Sequence, residues 1–188
     1  MVHELNNSKE EIILAAAWES GMDNAPRFDV GGYGEEDTGI DVFENKSEDG
    51  RVLGYSINQE SVDLNAYLYA EKGFLKSMAE VLGKTEDVKK YTEEAEFVRE
   101  YVSKNMFDKE SGYFYDLQIN EDGSEKKLLV NRGKGSEGWI ALWAKMATKE
   151  EADKVVENML DGNKFNTTVP FGTASQDNPS FSANQYWR

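Results

Sequence analysis

From Ser61 to Val102 the chain reads SVDLNAYLYAEKGFLKSMAEVLGKTEDVKKYTEEAEFVREYV, and this stretch limits the fold more than any other. In its first half Leu64, Tyr67, Leu68, Phe74, Leu75, Met78 and Leu82 fall at helical spacing, and Gly83 is placed to stop the helix. In its second half Val88, Tyr91, Ala95, Val98 and Val102 repeat at three and four, which predicts a second helix capped by Thr85. A tight GKT turn between the two predicts an antiparallel helix pair, and any fold has to be built around it.

The rest of the chain supplies shorter elements. Ser8 and Glu11 form a capping-box pattern that opens a helix over 9–17. Residues 18–57 read as mostly irregular, with the Gly-rich acidic patch GGYGEEDTG and a possible strand pair, IDVFE and RVLGYSI, flanking a turn at SEDG. A hairpin is expected from YFYDLQI and KLLV about NEDGSEK, followed by helices over 137–147 and 149–161, the latter opened by Thr148 and Glu151. Trp139, Trp143 and Met146 share one helical face and read as core before ligand platform. The tail from Phe165 to Arg188 reads as extended. The rhythm of helix, long loop, helix pair, hairpin, helix pair and long loop is that of a helical toroid with functional loops at one end.

Composition narrows the chemistry. At 188 residues, with 39% hydrophobic and 12% aromatic residues, the chain suits one domain with a real core. A net charge of −15 argues against nucleic acids and anionic membranes as partners. No apolar run is long enough to span a bilayer, and MVHELNNSKEEII lacks the basic and apolar regions of an export signal. There is no cysteine, and the only histidine is His3, so thiolate sites, disulfides and histidine-based triads or metal sites are excluded from this chain. Carboxylates are left to do acid–base work.

Three clusters carry such groups: WESGMDNAPRFD at 18–29, NQESVDLN at 58–65 and RGKGSEGW at 132–139. Each has a structural reading. Glu60 and Asp63 suit the first turn of a helix, where negative charge is worth roughly 0.3–1 kcal/mol. RGKGSEG reads as a flexible loop and lacks the ending of a phosphate loop. WESGMDNAPRFD reads as a loop held by an Arg27–carboxylate pair. The functional reading is that three loops, each opening a helix, converge and present carboxylates, amides and indole faces together. That equipment suits a carbohydrate: rings stack on the apolar faces of sugars, polar groups bind hydroxyls, and glycosidic cleavage uses two carboxyl groups.

WESGMDNAPRFD, SINQESVDLNAYLY, RGKGSEGW and the final YWR resemble glycoside hydrolase family 63, in its bacterial α-glucosidase branch, over nearly all of residues 15–188. ESGMD and VDLNA are also similar to elements of the family 37 trehalases, which share an (α/α)6 barrel. The resemblance implies a single domain over 1–188: the middle segment of such a barrel, without the N-terminal β-sandwich domain and the C-terminal barrel helices of full-length relatives. It implies an inverting, exo-acting α-glucosidase on short α-linked glucosides, with Asp23 as general acid. Trp18, Glu19, Asn24 and Arg27 would line the −1 site, Gln59, Lys134 and Glu137 would be nearby contacts, and Trp187 would sit at the rim. No cofactor is required. Some members bind a structural calcium ion, for which Glu60 is the candidate ligand here.

The resemblance also puts the base glutamate after YWR, outside this chain. An inverting site needs it about 6.5–9.5 Å from the acid, so the chain alone is expected not to turn over substrate. The missing remainder of the enzyme, or another copy of the chain, would then cover the helix faces a part-barrel exposes. Full-length relatives are often periplasmic, extracellular or luminal, and the N-terminus carries no signal that would place this chain. The alternatives are a non-catalytic carbohydrate-binding remnant or inactive fragment, and a helical interaction module unrelated to sugars.

Overall fold

The computed structural model describes residues 8–29 and 39–188. His3 and residues 31–38 of the acidic GGYGEEDTG patch lie outside them.

Helix α1 spans Lys9–Ser20, three residues further than its apolar pattern suggests, so Trp18 and Glu19 sit on its last turn. Its capping box forms as expected: Ser8 N–H donates to Glu11 Oε2 at 3.0 Å and Glu11 N–H to Ser8 Oγ at 3.3 Å. Gly21 ends it at φ 75°, a left-handed conformation natural to glycine, and its N–H donates to the Trp18 carbonyl. The chain then makes one 3-10 turn, Pro26–Phe28. Strands β1 (Val42–Lys46) and β2 (Val52–Ile57) form the expected antiparallel pair about SEDG, with a bulge between Asn45 and Lys46.

Strand β3 (Gln59–Glu60) precedes helix α2 (Val62–Val81), which the short turn through Gly83 folds back onto α3 (Thr85–Asn105). Contacts midway and at one end fit the antiparallel order: Lys72 Nζ lies 2.7 Å from Glu94 Oε2 at the middle of both helices, and the Tyr101 hydroxyl near the end of α3 reaches Glu60 just before α2. Thr85 is not the cap. Lys84 holds that position, Thr85 is the first helical residue, and no side chain caps the N-terminus. The buried face of α2 is also not the stripe of large residues: Val62, Asp63, Ala66 and Ala79 are buried, while Leu64, Tyr67, Leu68, Phe74, Met78 and Leu82 are exposed.

The expected hairpin exists with shorter arms. Strands β4 (Phe107–Asp108) and β5 (Tyr113–Phe114) pair with each other, and β6 (Leu117–Ile119) pairs with β7 (Lys126–Leu128) on one side and β3 on the other. Tyr113 and Phe114 are thus diverted from the hairpin into the main core with Val62, Val102, Met106 and Phe165.

The expected helix over 137–147 is broken into a 3-10 turn, Ser136–Trp139, and the single turn α4, Ile140–Trp143, ended by Lys145 at φ 57°. Trp139 packs on Phe165 with ring centroids 4.8 Å apart and Met146 is buried, but Trp143 is exposed. Helix α5 spans Lys149–Leu160 with the Thr148–Glu151 capping box in place. The tail after Phe165 forms no strand. It runs through turns, with one isolated antiparallel bridge between Gly135 and Ala174. The described residues form a mixed, predominantly helical structure with small antiparallel sheets and 46% helix.

Candidate active site

A second, smaller core places the first cluster. Ile13 and Ala17 of α1 pack with Met22, Ala25, Phe28 and Ile40, and Trp187 from the far end of the chain closes this layer. Met22, Ala25 and Phe28 face inward, which turns Asp23 and Asn24 outward at the tip of the loop.

Arg27 also turns inward and is only 3% exposed. Burying a guanidinium is costly unless every donor is matched, and here all five N–H groups have an acceptor. Nε and Nη2 donate to Asp116 at 2.8 and 2.7 Å, Nη1 and Nη2 to Asp63 at 2.9 Å each, and Nη1 also meets Met22 Sδ at 3.6 Å. Asp116 in turn accepts from the Val62 N–H at the start of α2 and from Gln59 Nε2, both at 2.9 Å. One cation therefore ties the loop after α1 to α2 and to the β5–β6 connection. The Arg27–carboxylate pair expected from the sequence is a pair of fork-to-fork contacts.

Glu137 comes close to this cluster. Burial pushes its carboxyl up to about 7, against the pull of Arg27 and with the repulsion of Asp116 and Asp63. Its loop is built for it rather than flexible. A Cβ on Gly135 would lie 2.2 Å from Glu137 Oε2, one on Gly138 would lie 2.3 Å from Tyr113 Cε1, and Gly133 adopts φ 75° against Asn178. The Tyr113 hydroxyl donates to the Gly135 carbonyl at 2.8 Å, and Ser136 N–H and Ser175 N–H bond to Thr173 and Lys134 carbonyls. RGKGSEGW is thus clamped between the core and the tail.

Asp23 is half-buried, and the Tyr186 hydroxyl donates to its Oδ2 at 2.7 Å. Asn24 Nδ2 donates to the Tyr186 carbonyl at 3.0 Å, while Arg188 donates to Asn24 Oδ1 and pairs with both oxygens of Asp29. Arg132, buried beneath, donates to the Arg27 and Asp29 carbonyls at 3.1 and 2.6 Å. The residues of the first and third clusters and the YWR tail are therefore brought together at one place.

The other expected residues are distributed around it. Trp18 is 57% exposed, and Glu19 is exposed beside it on α1. Lys134 is drawn to Asp177, Nζ to Oδ2 at 3.1 Å. Gln59 is engaged by Asp116 as above. Glu60 lies apart, in a 480 Å³ recess with Asn65, Phe97, Tyr101 and Lys126. It accepts from the Tyr101 hydroxyl and has Lys126 Nζ 3.7 Å from Oε1. Among the described residues no group of three or more histidines, cysteines or acids comes together that could hold a metal ion. Trp187 is part of the second core, at φ 63°.

Two participants escaped the sequence reading. Asp116 was hidden inside a strand pattern, although a lone acid in YFYDL, flanked by residues that bury, signals a buried partner. Tyr186 gave no local signal, because its partner lies 163 residues away.

Among known proteins, residues 6–188 match the family described as mannosylglycerate hydrolase MGH1-like glycoside hydrolase domain. The chain is 32% identical over 122 residues to the cytosolic neutral trehalase of Saccharomyces cerevisiae, covering 58% of this chain and 15% of that enzyme. It is 22% identical over 121 residues to an uncharacterized protein of Borreliella burgdorferi, covering 64% of this chain and 24% of that protein. The chain thus spans about a quarter or less of the length of these curated relatives. The family match bears out the resemblance to glycoside hydrolases, and the trehalase match agrees with the ESGMD and VDLNA elements. With nearly its whole length matched, the chain belongs to the mannosylglycerate hydrolase MGH1-like glycoside hydrolase domain family.

Proposed function

We propose that this chain forms the acid-bearing part of a glycosidase of inverting, exo-acting α-glucosidase type, with Asp23 as the general acid. The observation that carries the reading is the presentation of Asp23. Its loop is anchored from below by Arg27 and from the side by the tail, yet its Oδ1 has no hydrogen-bond partner among the described residues. That is an oxygen held in place and left available for a proton transfer. Trp18, exposed on the turn before, offers an indole face for a sugar ring.

Arg27 takes a different part in this reading from the one the resemblance gives it. With all five donors used inside the protein, it organises the loop instead of binding a hydroxyl. The substrate class is a short glycoside, and α-glucosides come first on the family 63 resemblance. The names of the family and of the yeast relative make mannosylglycerate and trehalose the other compounds to assay. The barrel of which these helices would form the middle, and the base glutamate on the opposite sugar face, belong to the same proposal.

The test supplies the second reactant from outside. Azide attacks the anomeric carbon from the face opposite the leaving group, the C1–O bond breaks, and its electron pair and the Asp23 proton go to the leaving oxygen. An aryl α-glucoside should therefore give β-glucosyl azide in the presence of azide, and Asp23→Asn should slow this by about 10²–10⁴-fold. Undiminished cleavage by Asp23→Asn would sink the assignment. Sugar binding with no azide product from either protein would favour a non-catalytic binding domain.

A further inference from the structure

We infer that Tyr186 is the positioning residue for Asp23: its phenol fixes Oδ2 and thereby aims Oδ1 at the glycosidic oxygen. This rests on the reading of Asp23 as the acid. The hydrogen bond is 2.7 Å, and it is not an isolated surface contact. The next residue of the loop, Asn24, donates to the carbonyl of the same tyrosine at 3.0 Å, so two successive loop residues grip Tyr186 at its two polar ends. Arg188 then binds Asn24 and Asp29, which fastens the tail just beyond the contact. Between them Trp187 sits at φ 63°, a conformation a bulky residue holds only where its surroundings over-determine it. Its indole packs, partly buried, against the second core formed by Ile13, Ala17, Met22, Ala25, Phe28 and Ile40.

The chemistry favours this arrangement. Before reaction Oδ1 carries the proton and Oδ2, the carbonyl oxygen, accepts from the phenol. As the proton passes to the leaving oxygen, negative charge develops on Asp23, and the hydrogen bond to Oδ2 strengthens because its acceptor becomes ionised. The interaction is thus stronger at the transition state than in the ground state, which is the condition for it to raise a rate. The other charged groups around the loop are Glu19 one turn earlier, the Asp29–Arg188 pair and Arg27 beneath; none of them hydrogen-bonds to Asp23. The hydrogen bond to Asp23 and the charge of that carboxylate also hold the Tyr186 phenol above the ordinary tyrosine range.

Two readouts test the inference. Carbon-13 labelling at tyrosine Cζ, with the Tyr186 resonance identified from Tyr186→Phe, follows the phenol through its titration. In the native chain it should ionise above the usual tyrosine range, and in Asp23→Asn it should move down. An identical titration in both proteins overturns the contact. The second readout is azide-dependent cleavage by native chain and Tyr186→Phe, using an aryl α-glucoside with a poor leaving group and α-glucosyl fluoride, whose departure needs little protonation. Tyr186→Phe should lose at least about tenfold in kcat on the aryl glucoside, with KM held within about twofold, and change little on the fluoride. An equal loss on both substrates, or no loss on either, overturns a positioning role. If the native chain cleaves neither substrate, the reading of Asp23 as the acid fails and takes this inference with it. If the native chain is active, Asp23→Asn is impaired and Tyr186→Phe is not, the inference alone fails.

Discussion

Arg27 and Glu137 share one ionic cluster but contribute to the fold in opposite directions. Arg27 is matched donor for donor, and removing it would leave Asp63 and Asp116 buried without a counter-charge. Arg27→Met should therefore destabilise the protein by about 3–5 kcal/mol in urea unfolding, as expected when one partner of a buried pair is deleted. Glu137 is raised to about 7 from the ordinary glutamate value of 4.5, so the folded protein binds a proton that the unfolded chain has released. Its contribution to stability consequently falls as pH rises between those two values and is level above them. Compared with Glu137→Gln, the native protein should lose on the order of 3 kcal/mol across that interval, read from urea midpoints at each pH. Local residue chemistry was legible where the partner was a neighbour, as for the Ser8–Glu11 and Thr148–Glu151 boxes. The Arg27–carboxylate pair was anticipated without its acids, because Asp116 is 89 residues distant and sits in a segment whose pattern speaks for a strand.

At the scale of elements, the loop carrying Glu137 behaves as a fitted part. Gly138 has the Tyr113 ring and the Phe114 carbonyl where a side chain would begin, at 2.3 and 2.5 Å, and neither a buried ring nor backbone can give way cheaply. Gly138→Ala should cost about 1–3 kcal/mol or more, typical of overpacking, in the same unfolding assay. Thr148→Ala should remove the cap of α5 at a cost of about 0.5–2 kcal/mol. The helices with capping signals emerged close to their expected bounds. The helix expected over 137–147 did not, because bonds from the tail and from Tyr113 to the 133–138 loop override helical continuation there. The hairpin arms were overestimated for a similar reason. Tyr113 and Phe114 satisfy their backbone against Phe107 and Asp108, a pairing that alternation alone does not reveal.

For the molecule as a whole, the apolar face of α2 distinguishes pattern from burial. Phe74 and Met78 have the spacing of a core stripe but are 61% and 60% exposed, while the small residues Ala66 and Ala79 take the buried side. Phe74→Ser and Met78→Ser should each change the unfolding free energy of the chain by no more than about 0.5 kcal/mol. Met106→Ala, at a fully buried site, should cost about 2–5 kcal/mol in the same series. The helix pair was thus readable from periodicity, but which of its faces is covered depends on neighbours that periodicity does not specify. The tail that latches the Asp23 loop has a further consequence, in time. The two halves of that latch are 163 residues apart. At about 5–20 residues per second a ribosome delivers the second roughly ten to thirty seconds after the first, so α1 and its loop must wait that long in the nascent chain before their last contacts exist. Completion of this corner therefore waits until residues 186–188 have been made, and a single proteolytic cut near residue 180 would undo it while leaving the helix pair standing.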